Sequence, residues 1–187
     1  QGAVEKAQEL VREIPGAILA GQFDNPANPQ AHEKTTGPEI WKDTEGHVDI
    51  FVAGIGTGGT LSGVGAYLKK QNPAVQVIGI EPEDSPLLSR GVAGPHGLQG
   101  LGANFVPKNF HAQVCDRLIT VTTENAYEVC RKLAKTEGFL AGISSGAALW
   151  AATVVAGEAE NEGKHVVVLL PDTGERYLST PLFSEES

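Results

Sequence analysis

The order of elements legible in this chain predicts an α/β fold, a mostly parallel sheet flanked by helices, and three observations carry that expectation. Short apolar, β-branched runs stand at Val48–Ala53, Val75–Ile80, Leu118–Val121 and Val166–Leu170, the kind of strand that is covered on both faces. Stretches with apolar residues at helical spacing separate them, so strands and helices alternate. The junction 54–60 is glycine-rich and lies between a strand and a helix, giving the strand, loop, helix, strand order of a βαβ unit.

Each element has a local reason. Ala3, Val4, Ala7, Leu10, Val11 and Ile14 recur at steps of three and four and predict an opening helix. No capping residue precedes it and the chain holds no Met, so the expectation is a piece of something longer, with part of the function upstream. Ala17–Ala20 is expected to be a short buried strand, and Gln22–Pro29, dense in turn formers, a loop. His32–Asp43 is expected to be helical despite Gly37-Pro38. Leu61–Gln71 resumes helix spacing, with Lys69 and Lys70 in the last turn where cations suit the dipole. The long Gly/Pro-rich stretch 82–107 is expected to be a binding loop or lid. Glu124–Glu137 predicts a helix capped by Thr122 or Thr123, and Gly142–Gly146 opens an Ala-rich helix expected to run to about Asn161. There is no internal repeat and no linker, which implies one domain core.

Composition narrows the function. Of 187 residues, 14 are Lys or Arg and 23 are Asp or Glu; the net charge of -9 argues against a nucleic-acid partner, which would need a basic face. The longest nearly apolar run, Ala147–Gly157, is far too short to span a bilayer. Cys115 and Cys130 have no metal-ligand or redox spacing and read as buried fillers in a reducing cytoplasm. His32, His47, His96, His111 and His165 lack metal-site spacing, so no metal is expected and they read as surface or capping groups.

Two motifs point to chemistry. In Gly54-Ile55-Gly56-Thr57-Gly58-Gly59-Thr60, backbone N–H groups and the positive end of the following helix can hold a phosphate. A mononucleotide P-loop fails for want of Gly-Lys-Ser/Thr. Three readings stay open: a dinucleotide fingerprint formed by Gly54, Gly56 and Gly59 with Glu81 as the ribose acid, a phosphate monoester held by glycine amides and the Thr57 and Thr60 hydroxyls, and a tight turn without a ligand. Gly142-Ile143-Ser144-Ser145-Gly146 matches a hydrolase nucleophile elbow, but no histidine follows Asp172 to complete the order serine, acid, histidine. Ser144 and Ser145 then either cap a helix or aim a hydroxyl at a ligand ring nitrogen.

Taken together, Gln22–Pro29, His32–Trp41, Gly56–Thr60, Gln99–Ala103, Gly142–Gly146 and Gly174–Thr180 closely resemble, in order, the cysteine synthases or O-acetylserine sulfhydrylases. These are pyridoxal 5'-phosphate (PLP) enzymes of fold type II, the tryptophan synthase β-like fold. The resemblance covers residues 1–187 as the C-terminal larger part of a cysteine synthase, chiefly its cofactor-phosphate-binding α/β domain, with the N-terminal part absent. It implies that Gly56, Thr57, Gly58, Gly59 and Thr60 bind the phosphate of PLP and that Ser144 hydrogen-bonds the pyridine nitrogen. A neutral hydroxyl there makes the ring a weaker electron sink than a carboxylate would, adequate when acetate leaves O-acetyl-L-serine and sulfide adds. It further implies that Gln22 contacts the substrate carboxylate and that Gly100 to Ala103 line the cleft. Other implications are a homodimer, a cytoplasmic location, and the C-terminal tail of serine acetyltransferase as a partner.

The family's Schiff-base lysine lies upstream of everything present here, and none of the nine lysines stands in its motif. No catalytic residue is therefore expected in this chain, and the isolated 187 residues are expected to be inactive. The competing readings are an inactive fragment or interaction module and an NAD(P)-binding oxidoreductase using Glu81.

Overall fold

The computed structural model describes residues 2–184. Helices α1 (Gly2–Glu13), α2 (Ala27–Lys34) and α3 (Thr36–Asp43) precede strand β1 (Ile50–Gly54). Helix α4 (Gly59–Gln71), strand β2 (Gln76–Pro82), the one-turn helix α5 (Leu87–Arg90), strand β3 (Arg117–Val121), helices α6 (Thr123–Glu137) and α7 (Ile143–Ala156) and strand β4 (Val166–Val168) follow. The sheet has the order β3-β2-β1-β4, and every pairing is parallel. The expected α/β architecture is present.

Strand alternation sorts the core into two layers. Phe51 and Ala53 of β1, Val77 of β2 and Leu118 of β3 face α4, where Leu61, Val64 and Leu68 cover them. Ile50, Val52, Ile78, Ile80, Ile119 and Val121 point the other way, onto Ala126 and Cys130 of α6 and Ile143, Ala147 and Ala151 of α7. Small residues let the helices approach closely. A Cβ on Gly146 would meet the Ala126 carbonyl and the Cys130 sulfur, so α6 and α7 pack backbone to backbone. Cys130 is buried, its thiol donates to the Gly142 carbonyl at 3.1 Å, and burial pushes it up to about 11. It is inert packing, as its sequence context suggested.

The elements depart from expectation in three places. Residues Ala17–Ala20 form no strand: left-handed Gly16 and Gly21 bracket them, Ile18 is 92% exposed, and no sheet neighbour lies beside them. The helix expected over His32–Asp43 breaks at Thr35 (φ -124°, ψ -71°). Pro38 has no N–H to bond the Lys34 carbonyl, and restarting the helix at Thr36 puts that proline in a first turn, where nothing is lost. The last helix stops at Ala156, short of Asn161; Asn161 instead folds back in a 3-10 turn and donates to the Val155 carbonyl at 2.8 Å. At α6 the expected cap is seen, with Thr122 accepting from the Asn125 N–H.

Candidate functional site

The site forms at the C-terminal end of β1, the usual position of ligands in open parallel sheets. Here the chain leaves the strand through Ile55 to Gly58 and enters α4. Gly58 sits at φ +83°, a left-handed conformation that turns the loop so that its amides face outward beside the helix N-terminus. Among the described residues, the N–H groups of Gly56, Thr57, Gly58, Thr60 and Leu61 reach no protein acceptor. Unpaired amides at the positive end of a helix of thirteen residues favour an anion. A Cβ on Gly56 would run into the Gly100 carbonyl, so the loop and the 99–103 turn are in contact.

The hydroxyls of the loop are oriented from behind by α2. Asn28 Nδ2 donates to Thr57 Oγ1 at 3.0 Å and to the Gln22 carbonyl at 2.8 Å, and the Gly59 N–H also donates to Thr57 Oγ1 at 3.3 Å. With both lone pairs engaged, the Thr57 hydroxyl proton is left to point away from the protein, toward an acceptor in the cleft. Thr60 Oγ1 lies 3.2 Å from His32 Nε2, and His32 Nδ1 lies 2.9 Å from Thr36 Oγ1. Asn109, almost wholly buried, donates to the same Gln22 carbonyl at 2.9 Å and ties the 107–110 turn to the opening loop.

A cleft of about 220 Å³ is lined by Gln22, Phe23, Gly56, Thr57, Gly100, Leu101 and Ala103. It brings together residues from three separate parts of the sequence. Ser144 stands across the Gly100 backbone from the 56–60 loop, its Oγ 3.5 Å from where a Gly100 Cβ would be. Its side chain is nearly buried, yet among the described residues its hydroxyl makes no hydrogen bond. Neither serine caps α7. Ser145 donates instead to Asp172 Oδ1 at 3.2 Å, and Tyr177 donates to Asp172 Oδ2 at 2.6 Å, so this carboxylate ties the Gly174–Tyr177 turn to the start of α7.

Burial first, and the Asp172 carboxylate second, push the Tyr177 phenol up to about 12 from its usual 10.0. Because the folded-state value lies above the unfolded one, the stabilisation is fully present below pH 10 and is lost as pH rises through 12. The expected result is an ultraviolet titration in which one tyrosine ionises late, together with a loss of stability above pH 10 that Tyr177→Phe flattens, the variant being the less stable protein below pH 10.

The dinucleotide reading loses its acid. Glu81 is buried, and its oxygens accept the Leu88 N–H at 2.8 Å and the Ser89 N–H at 3.0 Å, which leaves the carboxylate committed to α5. The hydrolase reading fails structurally as well, since no strand leads into Gly142 and only an isolated bridge joins Ala141 to Thr173. Among the described residues no cluster of metal ligands occurs, and no lysine lines the cleft. Asn28, Asn109 and His32 were not singled out as site residues by sequence. The available signal was spacing: Asn28 and His32 are four apart on one face of α2, matching Thr57 and Thr60 three apart.

These groups fit a phosphorylated ring: free amides and the Thr57 hydroxyl at one end, glycine backbone along the side, and an unengaged hydroxyl at the other end. The comparisons agree. The chain is 55% identical over 185 residues to a cysteine synthase of Staphylococcus aureus and 48% identical over 194 residues to cysteine synthase A of Escherichia coli. The matches take in 98% and 99% of this chain but 59% and 60% of those proteins, so it spans about three fifths of their length. Among solved structures it superposes on O-acetyl serine sulfhydrylase isoform 3 from Entamoeba histolytica with a TM-score of 0.93 at 46% identity, covering 100% of this chain and 56% of that one. An O-acetylserine dependent cystathionine β-synthase from Helicobacter pylori gives 0.92 at 42% identity, covering 98% and 59%. The family described as pyridoxal-phosphate dependent enzyme matches residues 1–172, and this chain belongs to it.

Proposed function

We propose that this chain is the cofactor-phosphate-binding part of a cysteine synthase, which replaces the acetate of O-acetyl-L-serine with sulfide to give L-cysteine. The observation that carries the reading is the free amides of the 56–60 loop at the α4 N-terminus, with the Thr57 hydroxyl held by Asn28 at the edge of a cleft whose Gly100 wall has the unengaged Ser144 hydroxyl behind it. The identity to cysteine synthases over nearly the whole chain supports it.

In this reading Gly56, Thr57, Gly58, Gly59 and Thr60 hold the phosphate of PLP, and Ser144 hydrogen-bonds the ring nitrogen. Bound PLP acts as an electron sink that acidifies the Cα–H of the attached amino acid and lets acetate leave the β-carbon. The protein's part is to anchor and orient. The α4 N-terminus neutralises the phosphate charge, the glycine backbone at Gly100 leaves room for the ring, and Gln22 and Ala103 border the space for the substrate carboxylate. The Schiff-base lysine comes from a segment outside these 187 residues, since none of the nine lysines stands in the motif that carries that role. The enzyme is a cytoplasmic homodimer, and the finished cleft takes the C-terminal tail of serine acetyltransferase.

The test is sulfide-dependent cysteine formation from O-acetylserine by the full-length protein, with homocysteine as the competing acceptor. Cystathionine formed without cysteine would sink the assignment of sulfide as the substrate. The isolated chain is expected to form neither. In the full-length protein, Ser144→Ala should hold PLP normally while turnover drops about tenfold, the worth of one hydrogen bond of about 1.4 kcal/mol. Wild-type turnover would mean that the ring nitrogen finds another partner.

A further inference from the structure

Helix α2 approaches α4 more closely than side chains normally allow. A Cβ on Gly63 would strike the Pro29 carbonyl and lie 2.8 Å from His32 Cβ. The close approach sets the His32 imidazole between two hydroxyls, Thr60 on the phosphate loop side at 3.2 Å and Thr36 at the start of α3 at 2.9 Å. Burial lowers the basicity of this ring below the ordinary histidine value, which favours the neutral form with one N–H and one bare nitrogen. The two tautomers then do opposite things to Thr60. With the proton on Nδ1, the bare Nε2 takes the Thr60 hydroxyl proton, and Thr60 shows the cleft only lone pairs, which repel an anion. With the proton on Nε2, the ring donates to Thr60 Oγ1 and the Thr60 proton is free for a phosphate oxygen. The bare Nδ1 must then accept from the Thr36 hydroxyl.

We propose that His32 is a positioning residue held as the Nε2–H tautomer by the Thr36 hydroxyl, so that protons directed from Thr36 through His32 to Thr60 all run toward the bound phosphate. The inference rests on the PLP reading above. It assigns Thr36, two side chains removed from the ligand, a part in phosphate affinity, and it gives α2 a second aimed contact beside the one from Asn28 to Thr57. Thr60 is the only one of the two loop hydroxyls whose direction depends on a tautomer, since the donors to Thr57 are an amide NH2 and a backbone N–H.

The experiment uses the full-length protein with 15N-labelled histidine, titrated with PLP and separately with inorganic phosphate. The expected spectrum of the PLP complex has His32 Nε2 in the protonated, pyrrole-like range and Nδ1 in the bare, pyridine-like range. Thr36→Val should weaken PLP binding about tenfold, as the loss of one hydrogen bond in a polarised chain predicts, while Thr36→Ser restores it to within about twofold. A PLP complex with the proton on His32 Nδ1 overturns the proposal without needing any variant to fold. So does a folded Thr36→Val protein that binds PLP as tightly as wild type. A wild-type protein with no affinity for PLP overturns the PLP reading itself, and the proposal with it.

Discussion

In the full-length protein, Asn28→Asp is expected to lower PLP affinity by at least about 100-fold while leaving the protein folded. The replacement is isosteric, but it turns a donor into an acceptor. Asn28 Nδ2 now donates to Thr57 Oγ1 and to the Gln22 carbonyl; a carboxylate in its place would set two acceptors against its oxygens. The Thr57 hydroxyl would rotate to donate to the new carboxylate and withdraw its proton from the cleft. The added negative charge would lie beside the loop proposed to hold the phosphate. Each lost or reversed contact to a charged group is worth about 1.5–3 kcal/mol, and two such contacts exceed a 100-fold change. Asn28 is only half-buried, so the melting temperature should move little. The measurement is a fluorescence titration with PLP, with inorganic phosphate as a second probe. Wild-type affinity would show that Thr57 gives nothing to the phosphate.

Gly58→Val is expected to lose both stability and cofactor. Gly58 holds φ +83°, and a Cβ there would lie 2.7 Å from the Phe110 backbone nitrogen and Cα. The left-handed conformation costs a branched residue about 1–2 kcal/mol, and overpacking against a backbone that cannot yield adds about 1–3 kcal/mol. Together they amount to about 2–5 kcal/mol, or about 10 °C in melting temperature for a domain of this size. The loop would relieve the contact by swinging its amides out of register, so PLP binding should also disappear in the population that remains folded at low temperature. The two readouts check different claims. An unchanged melting temperature would refute the packing of Gly58 on Phe110, and a destabilised variant that binds PLP normally would refute the cradle.

The hydroxyls of the candidate site are not equally replaceable, and the reason is who holds them. Thr57 is held by a side chain and a backbone amide, Thr60 by a ring with two tautomers, and Ser144, among the described residues, by no hydrogen bond. A residue with several partners fails through its supports, which is why Asn28, outside the cleft wall, carries a larger expected effect than Ser144. Ser145 shows the opposite case. Adjacent to Ser144 and chemically identical, it is consumed by Asp172 and secures the start of the helix.

What the amino-acid order determined by itself was local. The β-branched runs, the helical spacings of 61–71 and 124–137, the Thr122 cap and the glycine junction at 54–60 depend on interactions within a few residues, and the strands and helices they predict are present. Where only local pattern was available, errors followed. Ala17–Ala20 is apolar enough for a strand but has no neighbouring strand to pair with, and Thr35 breaks a helix because a proline three residues on needs a first turn. The Glu81 carboxylate stands where a ribose acid would stand in sequence, yet burial against α5 binds both its oxygens. Only the tertiary structure decided which polar groups are spent on the fold and which are left for a ligand. Thr57 meets Asn28 and Thr60 meets His32 across separations of 29 and 28 residues, because Gly63 lets α2 settle on α4. Spacing along the chain shows only that Asn28 and His32 share one face of α2; which residues that face meets is set by how two helices pack and not by the residues beside them.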